Sequence, residues 1–137
     1  MSEIVVGYDG SDTSHAAVQR AAELAKGLGD SIVIVFGYAP GGYGGGEVKA
    51  QREAVEELGE QVTARGVEEA KAAGVDSDVV LINEHAHEAL MTVAEQRKAR
   101  MIVVGSHGEA PLKGAVLGST PYKLVHFSRT PVLVVRV

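Results

Sequence analysis

Between Gly105 and Thr120 the chain reads Gly-Ser-His-Gly-Glu-Ala-Pro-Leu-Lys-Gly-Ala-Val-Leu-Gly-Ser-Thr, and these residue types at this spacing suit phosphate. Glycines let backbone N–H groups approach an anion, the amides of a first helical turn point at it, and hydroxyls add donors. The stretch follows the apolar run Met101-Ile102-Val103-Val104 and leads into a helical pattern from Ser119 to Phe127. A second suggestive residue, Asp9, ends the apolar run that opens the chain. Each feature also has a plainer reading: glycines after a strand form turns, Ser119 can serve as an N-cap, and Asp9 can cap its own turn.

Other residues carry less. Lys113 offers charge to a phosphate, or is an ordinary solvated lysine; His107 offers a donor, or suits a turn. Glu84, His85, His87 and Glu88 resemble metal ligands, but on a helix two histidines two residues apart point about 200° from each other. Gly41–Gly46 lacks the Lys-Ser/Thr of a Walker loop and reads as a flexible linker. No Gly-x-Gly-x-x-Gly follows the first apolar run, Asn83 stands where a receiver domain would carry an aspartate, and no Ser-His-Asp or Cys-His frame is visible.

The elements that must position these residues are legible. Ile4–Tyr8, Ile32–Tyr38, Val79–Ile82, Met101–Gly105 and Val132–Val137 read as strands. Between them lie apolar stripes at helical spacing: Ala17, Ala21, Leu24, Ala25 and Leu28; then Val48, Val55, Leu58 and Val62, weakened by Gly59 and Gly66. Ala86, Leu90, Val93 and Ala94 form a third, and Leu124, Val125 and Phe127 a short fourth. Ser11 or Asp12 can cap the first helix, and Gly27 and Gly29 can end it. Continuous apolar strands alternating with helices predict one doubly wound α/β domain, with helices on both faces of a parallel sheet. In the common order 3-2-1-4-5, Asp9 and the glycine loop occupy opposite lips of the crevice where the winding reverses.

Composition narrows the partners. The chain has 137 residues, a net charge of −5, no cysteine and no tryptophan. Its thirteen Lys and Arg are dispersed, which disfavours nucleic acid. No apolar run approaches the roughly 18 residues of a membrane span, and the first residues enter a strand rather than a signal peptide. Disulfides and thiolate metal sites are excluded, as fits a cytoplasmic protein.

The pattern Gly105-x2-Gly108-x9-Gly118-Ser119-Thr120 resembles the nucleotide-binding motif of the universal stress protein family. The similarity extends over the whole chain, from Ile4-Val5-Val6-Gly7-Tyr8-Asp9-Gly10-Ser11 to Thr130-Pro131-Val132-Leu133-Val134-Val135. It implies a Rossmann-like, adenine nucleotide alpha hydrolase-like domain over residues 1–137, with five parallel strands in the order above. It also implies a homodimer and ATP binding with Mg2+ or Mn2+ bridging the phosphates. By position, Asp9 would meet the adenosine portion and the backbone near Gly37 the adenine edge. Gly105 and Gly108 would lie along the ribose and α-phosphate, and Gly118, Ser119 and Thr120 would hold the outer phosphates.

The resemblance implies a regulatory binding protein rather than an efficient hydrolase, with slow or negligible ATPase activity. Two alternatives stay open: a sensor preferring AMP or a cyclic nucleotide, and a dimeric interaction module without a nucleotide. The predicted edge strand Val132–Val137 carries one charge, Arg136, and pairing with its own copy would cover it.

Overall fold

A computed structural model describes residues 1–38, 46–107 and 117–137. Five strands and four helices alternate: β1 (Glu3–Gly7), α1 (Asp12–Leu28), β2 (Ser31–Gly37), α2 (Gly46–Ala72), β3 (Ser77–Ile82), α3 (Ala86–Arg97), β4 (Met101–Gly105), α4 (Ser119–Phe127) and β5 (Val132–Val135). All strand pairs are parallel, in the predicted order β3-β2-β1-β4-β5. Val5, for example, lies between Val33 of β2 and Ile102 of β4.

Continuous apolar strands suit this sheet because alternate side chains enter different cores. Ile4, Val6, Ile32, Ile34 and Val103 pack with Ala17, Val18, Ala21 and Ala25 of α1. Val5, Val33, Val35, Ile102 and Val104 pack with Leu90, Val93 and Ala94 of α3 and with Leu124 of α4. The alanine-rich stripe of α1 brings that helix close to β1 and β4. Ser11 caps it, and it runs through Gly27 to stop at Gly29, whose φ of 74° is left-handed.

Three expectations need correction. β1 ends at Gly7 and β5 at Val135, so each is shorter at its carboxyl end than predicted. α2 runs through Gly59 and Gly66 as the stripe predicts, and a Cβ at Gly59 would sit 2.8 Å from the Phe36 ring, so the missing side chain seats the helix on the sheet. In α2, Val62 is buried while Val55 and Leu58 are exposed; the Val48 side chain lies outside the described part. In α4 only Pro121 and Leu124 are buried, whereas Val125 and Phe127 are 57% and 68% exposed. A helix at the sheet margin, packed chiefly against α3 and β5, has one narrow inward stripe.

The amino end of the sheet is closed by charge. The Asp30 side chain is fully buried; Oδ1 accepts from the Ser2 amide at 3.0 Å, and Oδ2 from Arg100 Nε at 2.6 Å. The Arg100 hydrogen bond holds the Asp30 carboxyl below the usual carboxylate range, although burial opposes it. Arg97 bridges Glu3 at 3.1 Å and Asp78 at 2.8 Å.

Candidate functional site

At the carboxyl end of the sheet the chain leaves a cavity of about 370 Å³ beyond β1, β2 and β4. Its position follows from the strand order, since α1 and α3 pack on different faces and part where the winding reverses. Six predicted residues come together here: Asp9, Gly37, Gly105, Gly118, Ser119 and Thr120 all line it. Gly108, Glu109 and Lys113 lie outside the described residues, as does the segment 41–45.

The helix start at α4 differs from that at α1. Gly118 is the N-cap of α4 and supplies no side-chain acceptor; its own N–H donates to the Ser106 carbonyl at 2.7 Å. The first helical bond runs from the Tyr122 amide to the Gly118 carbonyl at 3.1 Å. Pro121 has no N–H, so Ser119 and Thr120 carry the first-turn amides without an intrahelical partner. At α1, Ser11 Oγ accepts from the Ser14 amide at 3.3 Å, and Asp9 Oδ1 accepts from the Ser11 amide at 2.9 Å. Asp9 thus fulfils its plainer reading, as a turn cap, while also facing the cavity.

The glycines have local reasons that spacing alone does not reveal. A Cβ at Gly37 would lie 2.9 Å from both the Ala86 Cα and the Glu84 carbonyl oxygen, so α3 begins hard against the end of β2. At Gly105 it would lie 2.5 Å from the Thr13 side chain, and at Gly118 it would lie 3.0 Å from the His107 Cα. Sequence reasoning missed Ser11, Ser14, Ala86 and Leu90, which complete the walls. Their signal was position: first turns of helices that follow strands face this end of the sheet. Among the described lining residues Asp9 is the sole carboxylate, His107 the sole imidazole, and none is Lys or Arg.

Residues 1–136 match the model of the "Universal stress protein family". The chain belongs to that family. The universal stress protein YxiE of Bacillus subtilis is 30% identical over 98% of this chain and 99% of its own length. A universal stress protein solved in complex with cAMP is 31% identical, covers 98% of this chain and 96% of its own, and superposes with a TM-score of 0.77. An Archaeoglobus fulgidus universal stress protein in complex with dAMP shares the fold at 20% identity and a TM-score of 0.75, covering 98% and 97%.

In this universal stress protein Tyr8, which also lines the cavity, and His87 depart from their ordinary values. Burial, helped by Glu69, pushes the Tyr8 phenol up to about 12, and its hydroxyl lies 3.1 Å from His15 Nδ1. Burial first, then Lys123, pushes His87 below the ordinary imidazole value. The rings of His85 and His87 stack, with centroids 6.3 Å apart and planes at 18°. They do not diverge by 200°, because His85 is the extended N-cap of α3 rather than a helical residue. No three His, Asp or Glu among the described residues are grouped to hold a metal.

Proposed function

We propose that this universal stress protein binds an adenine nucleotide, ATP with Mg2+ or Mn2+, in the cavity at the carboxyl end of its sheet. It then acts as a nucleotide-dependent regulatory protein with slow or negligible ATPase activity. The observation that carries this reading is the first turn of α4, which opens into the cavity without a side-chain cap and opposite Asp9. In this reading Ser119 and Thr120 hold the outer phosphates with Gly118, while Gly105 lies along the ribose and α-phosphate. Asp9 meets the adenosine portion, and the backbone at Gly37 meets the adenine edge. The Ser119 and Thr120 hydroxyls are oxygen donors of the type a hard divalent ion takes beside phosphate. The cation's chemistry would be neutralisation of phosphate charge.

Denaturing the purified protein and identifying any released small molecule by mass spectrometry, followed by calorimetry with ATP and Mg2+, tests the assignment. Binding of ATP supports it, and the absence of binding to any adenine nucleotide overturns it. Phosphate release at the rate of a metabolic enzyme would overturn the non-enzymatic part.

A second reading, AMP or a cyclic nucleotide, draws support from two findings. The described lining holds no Lys or Arg to neutralise a triphosphate, and the 31% identical relative was solved with cAMP. Calorimetry with ATP, AMP and cyclic AMP side by side decides between them. The homodimer belongs to the same proposal. β5 is an edge strand, and Tyr122, Val125 and Phe127 of the adjoining α4 are exposed, an apolar margin that pairing through Val132–Val137 would cover. A monomer by light scattering at micromolar concentration would remove that part. A cytoplasmic location completes the proposal, supported by the cysteine-free composition.

A further inference from the structure

We infer that Thr13, which lies outside the glycine motif, is a positioning residue for the phosphate portion of the ligand; this rests on the nucleotide reading above. Thr13 is in the first turn of α1 and 1% exposed. Its hydroxyl donates to the His107 carbonyl, tying α1 to the segment that follows β4. That contact is possible because Gly105 has no side chain: a Cβ there would lie 2.5 Å from Thr13 Cβ and Oγ1 and 2.7 Å from its carbonyl carbon.

The same segment is gripped from its other side. The Gly118 amide donates to the Ser106 carbonyl at 2.7 Å, and a Cβ at Gly118 would lie 3.0 Å from His107 Cα. Residues 105–107 are therefore held between α1, through Thr13, and the start of α4, through Gly118. The glycines provide the space and Thr13 provides the directional bond. Because Gly118 precedes the Ser119 and Thr120 amides, fixing His107 from the α1 side fixes where those amides stand relative to Asp9. Small displacements of such donors weaken anion binding steeply, since hydrogen bonds are short and directional.

The role is specific to phosphate, and the test uses that. Thr13→Val keeps the shape of the side chain and removes the donor, leaving the His107 carbonyl without it. Calorimetry compares wild type, Thr13→Val and Thr13→Ser against AMP and adenosine. Hydrogen exchange of the ligand-free proteins follows the amides at residues 105–107. Thr13→Val should lose roughly tenfold in affinity for AMP, keep its affinity for adenosine, and exchange faster at 105–107. Thr13→Ser, which retains the hydroxyl, should restore both.

Equal AMP affinity in wild type and Thr13→Val overturns the role. An equal loss for AMP and adenosine also overturns it, because that marks general disruption. A wild type that binds neither AMP nor adenosine is compared with its variants against ATP in place of AMP, and one that binds none of the three overturns the nucleotide reading and the positioning role together, an outcome distinct from failure of Thr13 alone. Should Thr13→Val not fold, Thr13→Ala removes the same donor with less bulk and enters the same comparison.

Discussion

The two ends of the sheet differ in how far their polar groups are paired within the chain. At the amino end they are paired within the chain: Asp30 takes the Ser2 amide and the Arg100 guanidinium, and Arg97 joins Glu3 to Asp78. At the carboxyl end the α4 turn has no side-chain cap, and Ser119 and Thr120 line a cavity. Ser119 is exposed and Thr120 half-buried, so solvent can complete these donors until a ligand takes its place. The contrast separates residues that hold the fold from residues whose partner comes from outside, even though both groups sit at strand ends.

Substitutions at the two ends should break this contrast in different measurements. Gly118→Val should have the largest effect: its branched side chain meets His107 and fills the approach to the amides, and calorimetry should show at least about a hundredfold loss of nucleotide affinity. The double substitution Ser119→Ala, Thr120→Ala leaves the backbone amides and removes the hydroxyls; a loss of about tenfold is expected, with little change in Tm. If the double variant bound as wild type, the amides alone would carry the phosphate.

Arg100→Gln acts at the other end and should leave nucleotide affinity unchanged. Because the folded carboxyl of Asp30 is held below its ordinary value of 3.8, its stabilisation is present above that pH and is lost as pH falls through the folded value. Without the guanidinium the folded value rises, so acid unfolding followed by circular dichroism should begin at higher pH. An unchanged acid midpoint would show that Arg100 does not hold Asp30. Asp9→Asn should be the mildest, since the amide oxygen can still accept from the Ser11 amide. A few-fold loss of affinity with an unchanged Tm would assign the carboxylate charge to the ligand, and no loss would leave Asp9 as a turn cap only.

Much of the fold was legible because α/β architecture is written locally. Unbroken apolar runs such as Ile32–Val35 and a small-residue stripe such as Ala17, Ala21 and Ala25 signal a sheet covered on both faces. Patterning failed where tertiary contact set the outcome. Val55 and Leu58 fit the second apolar stripe, yet α2 leaves both exposed. Val125 and Phe127 fit an apolar stripe, yet α4 turns them outward at the sheet margin. The divergence predicted for His85 and His87 assumed a helix that already includes His85, one residue before α3 begins.

The site divides in the same way. Residue types and spacing alone singled out Asp9, Gly105, Gly118, Ser119 and Thr120, because glycine-rich strand-to-helix turns have few physical uses. Only the folded chain made Gly37 and Gly105 seats for α3 and for Thr13, and brought Ser11, Ser14, Ala86 and Leu90 to the same cavity. Such contacts join residues far apart in sequence, and no local preference encodes which side chain will stand opposite a missing one. Periodicity and turn chemistry act over a few residues, whereas close packing is settled between whole elements.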